Sequence, residues 1–251
     1  MSLDALDAAI APTFKDELIG MLREFSDSRP RSLQTRLGPS ELGHPCDKKM
    51  ALALADAPRC NASAGDPLPS LLGSAGHSLM EQALAAYNET YGQRFLIEQK
   101  VSPLHPAEAF AGTMDCYDLH DDAVIDWKFA GARKMTDVRR DNDPGILYRT
   151  QAHVYALGCE RTLGVEPKKV RIVFLPRAGF STGAVVWEES YDRDRAEAAI
   201  DRVQALLLMV DDLRAVEHPE RFDLFPTTPL QCEYCPFHRP QPTGPHECAG
   251  G

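Results

Sequence analysis

Two apolar, β-prone runs in the middle of the chain flank a polar turn: Gly112-Thr-Met-Asp-Cys-Tyr-Asp-Leu, then His120-Asp121-Asp122, then Ala123-Val-Ile-Asp-Trp-Lys. That pattern predicts a hairpin. Before it, Arg94 to Ser102 sets Phe95, Ile97, Gln99 and Val101 against Leu96, Glu98 and Lys100, which reads as a first strand. After it, Lys169 to Pro176 and Gly183 to Tyr191 predict two more strands, paired antiparallel. Helical spacing covers residues 2–27 through Leu3, Leu6, Ile10, Phe14, Leu18, Met21, Leu22 and Phe25, with Pro12 dividing the stretch into two helices. Cys46 falls in the first turn of a helix running to about Ala55. A further helix spans Leu71 to Tyr91, with Leu72, Ala75, Leu79, Ala83 and Ala86 as apolar surface. Another runs from Leu147 to Leu163. The last, Asp192 to Val216, carries an apolar stripe of Ala199, Ile200, Val203, Leu206, Leu207, Val210 and Leu213. Residues 56–69 read as a loop holding a free Cys60, and residues 130–149 as a mobile basic stretch. The element order gives an α/β (α+β) class with a central mixed β-sheet flanked by helices. Residues 1–37 form an N-terminal helical arm and linker, and 38–251 a single domain that includes a cysteine-rich tail, 225–251.

Composition narrows the picture in three ways. No run of about 18 apolar residues occurs and the N-terminus lacks signal-peptide regions, so a cytoplasmic protein without membrane association is expected. A formal net charge of −10 argues against broad nucleic-acid coating but leaves room for a local basic groove. Seven cysteines, an odd count in a reducing compartment, point to metal or cluster binding rather than a disulfide framework.

Candidate chemistry gathers at the hairpin. Asp126 and Lys128 are two apart and leave one face of their strand, and the hairpin can bring Asp115 beside them. Such a motif is common on any wet edge strand. Here Val124, Ile125, Trp127 and Phe129 mark a strand buried on at least one face, where retained charges need a reason. Two facing carboxylates repel unless a cation lies between them, and oxygen ligands of this kind suit Mg²⁺ or Mn²⁺. His77 and Glu81 share a helix face, with Gly73 and Gly76 one turn earlier permitting close approach of another backbone. Glu98 can point toward the metal face, but an ordinary surface role is weighed above that. Gln151 and Tyr155 share a face of the next helix, with Tyr148 and Ala152 close to it. Arg133, Lys134, Arg139, Arg140 and Arg149, mixed with acidic residues, form either a solvated loop or a phosphate-contacting lid; Arg29, Arg31 and Arg36 offer the same choice. In the tail, Cys232-x-x-Cys235-Pro and Cys248 supply three thiolates, and Cys46 is assigned as the fourth. Four thiolates fit a [4Fe–4S] cluster or Zn²⁺, and His238 or His246 in place of one cysteine would favour zinc.

The order His77, Asp115, Asp126-x-Lys128, Gln151-x-x-x-Tyr155 resembles the RecB-like branch of the PD-(D/E)xK nucleases. With Cys46 and the C-terminal cysteines it is similar to that branch's iron–sulfur subset: CRISPR-associated exonucleases, related phage exonucleases and AddB-type nuclease domains. Asp126 stands where many members have Glu, and the gap from Cys235 to Cys248 is longer than the family's. The resemblance covers roughly Gly38 to Cys248 and implies a restriction-endonuclease-like core with a tail stapled by a cluster or metal. It implies that His77, Asp115, Asp126 and the Trp127 backbone carbonyl hold the divalent metal. Lys128 would orient or activate a water, and Gln151 and Tyr155 would position the scissile strand. Arg133, Lys134, Arg139, Arg140 and Arg149 would touch the DNA backbone. The implied function is metal-dependent exonucleolytic cleavage of single-stranded DNA or DNA ends in a prokaryotic or phage-infected cell, with recombination or CRISPR-adaptation partners. A non-catalytic nucleic-acid-binding or interaction protein with a structural zinc or iron–sulfur site is the alternative.

Overall fold

A computed structural model describes residues 13–29, 37–61 and 66–250. Leu3, Leu6 and Ile10 of the first expected helix, with Arg31 and Arg36, lie outside these residues. The helices are α1 (Phe14–Asp27), α2 (Asp47–Leu54), α3 (Leu68–Tyr91), α4 (Ala132–Asp141), α5 (Ile146–Leu163) and α6 (Arg193–Asp212). The strands are β1 (Phe95–Val101), β2 (Gly112–Asp118), β3 (Ala123–Ala130), β4 (Lys169–Pro176) and β5 (Val185–Ser190). They form one mixed sheet in the order β1-β2-β3-β4-β5, in which β3 and β4 alone run parallel. That parallel pair requires a crossover, which α4 and α5 supply.

Three apolar clusters define the layers. On one face of the sheet, Tyr117, Val124, Val170, Ile172 and Phe174 pack against Ala152, Ala156 and Cys159 of α5 and Met135 and Val138 of α4. On the other, Cys116, Ile125 and Trp127 meet Met80 and Leu84 of α3. A second shell covers the far side of α5: Val154 and Leu157 join Met50 and Leu52 of α2, Ile200, Val203 and Leu206 of α6, and Phe222, Phe225, Phe237 and Cys235 of the tail. α5 is therefore buried on both sides from Thr150 to Cys159, and small residues let it fit. A Cβ on Gly158 would lie 2.9 Å from Val101.

One expectation changes. Residues 132–141 form a helix rather than a mobile stretch, because Met135 and Val138, three apart, bury themselves on the sheet. In α3, Leu72 and Leu79 face outward, 47 % and 63 % exposed. Both faces of this helix are apolar, and the one chosen is that of Gly76, Met80 and Leu84. Cys60 is a free cysteine, as expected, and its thiol lies 3.7 Å from the carbonyl oxygens of Pro236 and His238.

Gly76 sets how closely α3 approaches β3. A Cβ there would fall 2.3 Å from the Phe129 ring, whereas one on Gly73 meets nothing within 4 Å. Gly76→Ala should cost about 1–3 kcal/mol by forcing ring and helix apart. Gly73→Ala should be neutral or gain about 0.5–1 kcal/mol from helix propensity. Urea denaturation of the two variants beside the parent checks the contrast.

Candidate metal-binding active site

The cavity at the mouth of the sheet begins where two strands part. β2 and β3 pair only over Cys116–Asp118 against Ala123–Ile125. Beyond that, the Trp127 N–H donates to the Asp115 carboxylate, Oδ2, at 2.9 Å instead of to a backbone carbonyl. The same level is irregular in β1. The ladder pairs Ile97 with Cys116 and Gln99 with Met114, and Glu98 between them adopts a left-handed φ of 49°. Its antiparallel opposite is Asp115, so two carboxylates face one another across the strands, a costly arrangement when nothing positive intervenes.

α3 brings His77 to this pair. Its Nδ1 lies 3.2 Å from Asp115 Oδ1. One ligand atom each from His77, Glu98 and Asp115 lies within 4.8 Å of the others. β3 adds Asp126, 3 % exposed, and Lys128. Gln151 of α5 donates to Asp126 Oδ1 at 3.1 Å, and the Lys128 ammonium stands 2.7 Å from Oδ2, close in charge though not aligned as a hydrogen bond. His77, Glu98, Asp115, Asp126, Lys128, Gln151 and Tyr155 all line one cavity. The structure thus gathers every residue of the sequence motif and adds Glu98, which the strand pattern had placed on the surface. The signal for it was the register: once the hairpin is aligned, Glu98 falls opposite Asp115. Gly38, Pro39 and Ser40 complete the wall, and a Cβ on Gly112 would strike Pro39 at 2.7 Å.

The charges are mutually tuned. The hydrogen bond that His77 donates to the Asp115 carboxylate raises the His77 pKa, against the effect of burial. Burial pushes the Asp126 carboxyl upward, and Lys128 opposes that push. Burial works against the Lys128 ammonium, but the Asp126 carboxylate outweighs it and holds the pKa above its usual value. Oxygen donors with one imidazole fit a hard divalent cation such as Mg²⁺ or Mn²⁺.

The basic residues stand elsewhere. Arg140 pairs with Asp141 at 2.7 Å, and Arg149 lies 3.3 Å from Glu189 and 5.1 Å from the centre of the Trp187 ring. Lys134 and Arg139 donate to the carbonyls of Pro144 and Gly183, at 2.9 and 3.3 Å. Neither these four nor Arg133 are among the residues lining the cavity, whose cations among the described residues are Arg29, Lys100 and Lys128.

A second cavity is lined in part by Lys49 and Leu52 of α2. Cys46, Cys232, Cys235 and Cys248 line it together, with His44 and His238. His246 instead faces Phe222, ring centres 5.8 Å apart. No three of the four sulfurs come within 4.8 Å of one another, whereas thiolates on a tetrahedral zinc at about 2.3 Å stand about 3.8 Å apart. Asn61 secures the C-x-x-C turn by donating to the carbonyls of Glu233 and Cys235 at 3.2 and 3.0 Å. Burial, then the Lys49 charge, lowers the His44 pKa to about 4, so the ring is neutral and accepts the Cys46 N–H at 3.2 Å.

The sequence profile of the PD-(D/E)XK nuclease superfamily matches residues 43–239. The chain belongs to that superfamily. As expected of a PD-(D/E)XK protein, its five-stranded mixed sheet is flanked by helices in a restriction-endonuclease-like arrangement. Among solved structures it is similar to an alkaline exonuclease from Laribacter hongkongensis, at 13 % identity over 76 % of this chain and 94 % of that one, with a TM-score of 0.49. It is also similar to a phage-related exonuclease from Haemophilus somnus 129PT, at 15 % identity over 72 % and 95 %, with a TM-score of 0.44. No curated protein sequence matches it. Among the described residues of this PD-(D/E)XK chain, no helix is long and apolar enough to cross a membrane.

The His77–Asp115 contact carries a pH signature. A raised native pKa means the stabilisation is complete below the unfolded value of about 6.5 and is lost as the pH rises through the native value. In chelator-containing buffer, the stability gap between the parent and His77→Gln should be widest on the acid side of about pH 6.5 and narrow above it. Thermal denaturation across pH checks this, and a gap independent of pH rejects the pairing.

Proposed function

We propose that this protein is a divalent-metal-dependent deoxyribonuclease acting as an exonuclease on single-stranded DNA or DNA ends. The observation that carries the reading is the buried Asp126 shared between Lys128 and Gln151, beside Asp115 and His77, in one cavity of a PD-(D/E)XK chain. His77, Asp115, Asp126 and the Trp127 carbonyl are the proposed metal ligands, in the order the family motif gives them. A Mg²⁺ or Mn²⁺ ion held there supplies Lewis-acid charge to the phosphate and lowers the pKa of a water. Lys128, kept as an ammonium by Asp126, orients the attacking water and offsets the charge that develops on the phosphoryl oxygens. Gln151 fixes the Asp126 carboxylate, and Tyr155 lines the wall against which the scissile strand lies. Arg133, Lys134, Arg139, Arg140 and Arg149 are proposed to meet the DNA backbone outside the cavity. Recombination, CRISPR adaptation and phage DNA processing all use this chemistry, in the cytoplasm of a prokaryotic or phage-infected cell.

The cysteine cavity is proposed to hold a [4Fe–4S] cluster. Four cysteines on its wall, two of them in a Cys-x-x-Cys-Pro turn, are what the reading rests on.

Protein purified anaerobically should degrade end-labelled DNA with Mn²⁺ or Mg²⁺ and not with EDTA, and Lys128→Ala should lose at least about 10²-fold in rate. DNA left intact with both metals, or cut equally by the variant, sinks the nuclease reading and favours the binding-protein alternative. The same preparation should be brown, with the colour lost in Cys232→Ala; a colourless, zinc-containing parent rejects the cluster.

A further inference from the structure

We infer that Tyr148 is a positioning residue for Lys128, an inference that rests on the nuclease reading above. Tyr148 stands on the first turn of α5, three residues before Gln151 and seven before Tyr155, and so on the same side of the helix. The Lys128 ammonium lies 4.9 Å from the centre of its ring. An ammonium has three donors. Asp126 Oδ2, at 2.7 Å, takes the charge on one side, and the face of the ring takes it on another through its quadrupole. What is left of the head group faces the cavity.

The ring is itself held in place. Fully buried Phe174, the register partner of Lys128 on β4, lies 6.0 Å from it. On α4, the Lys134 ammonium lies 5.5 Å from the same ring and donates to the carbonyl of Pro144, just before Gly145 caps α5. Lys134 therefore serves the start of α5 and the ring it carries. Lys128 lines the cavity and Tyr148 does not, so Tyr148 acts on that cavity through Lys128. A plain packing role would make Tyr148 matter for stability alone. A positioning role makes the π face matter for turnover.

The test compares Tyr148→Phe, which keeps the face, with Tyr148→Leu, which removes it. On DNA with Mn²⁺, Tyr148→Leu should lower kcat about 10- to 100-fold with KM unchanged, as expected when a reacting group loses about an ångström of registration. Tyr148→Phe should retain the parent's kcat. Introduced into Lys128→Ala, Tyr148→Leu should lower the residual rate no further. In proton–carbon NMR, the Lys128 ε-CH₂ signal, assigned by its absence in Lys128→Ala, should lie upfield in the parent and in Tyr148→Phe and return to the ordinary lysine position in Tyr148→Leu. If leucine leaves the protein unfolded by circular dichroism, Tyr148→Met, which fills the space without a π face, takes its place. An active parent whose leucine variant keeps its kcat, changes KM instead, or adds its full effect to Lys128→Ala overturns the inference alone. A parent without nuclease activity removes the reading beneath it as well.

Discussion

The parting of β2 from β3 is the constraint from which the site follows. A sheet continued past Cys116 and Ile125 would spend the Trp127 N–H on a backbone carbonyl and leave no mouth. Here the Asp115 carboxylate accepts that N–H at 2.9 Å, so the backbone donor stays satisfied while the strands separate. The same carboxylate turns its other oxygen to His77. One side chain thus replaces a rung of the ladder, opens the cavity and anchors α3 over it. β1 answers at the same level, where Glu98 leaves regular strand geometry opposite Asp115. Left-handed backbone in a non-glycine residue costs about 1–3 kcal/mol, and proteins tolerate such costs chiefly where function requires them.

Charge compensation is the second requirement. Asp126 is almost wholly inside the protein, where a lone carboxylate would shed its charge by taking up a proton. Lys128 and Gln151 each attend to one of its oxygens, and the lysine keeps its own charge through the same contact. The two residues sit on one strand two positions apart, the shortest spacing that puts both on one face. Gln151 comes from the helix that crosses from β3 to β4 and packs beneath the sheet. Burying α5 on both sides is therefore not only core building, since it fixes the height from which Gln151 and Tyr148 reach the acidic strand.

Much of this was legible in the sequence. The hairpin, β4, β5 and α6 showed in period and turn chemistry, and Asp115, Asp126, Lys128, Gln151 and Tyr155 showed in spacing. What escaped shares a physical cause. Glu98 reads as solvent-facing because alternation assumes a regular strand, and its φ breaks that assumption. The charges of α4 masked a helix whose buried side rests on Met135 and Val138. The contacts of the Cys60 thiol were not visible because Pro236 and His238 lie some 180 residues away in sequence.

The acidic cavity and the cysteine cavity are joined by one short buried segment. Gly38, Pro39 and Ser40 form a wall of the first, while His44 and Cys46 form a wall of the second. Between them Leu42 is fully buried, and Gly43 lies so close to Thr150 of α5 that a Cβ would approach it to 2.6 Å. At the far end, Arg202 of α6 binds the His44 carbonyl at 2.8 Å, and Lys48 binds Asp223 at 2.7 Å and the Glu247 carbonyl at 3.2 Å. Close-packed segments of this kind transmit displacement because they have no slack to absorb it. Pro39 in turn packs against Gly112, the first residue of β2, three positions before Asp115. The two cavities thus share one packed segment, although their chemistry is separate.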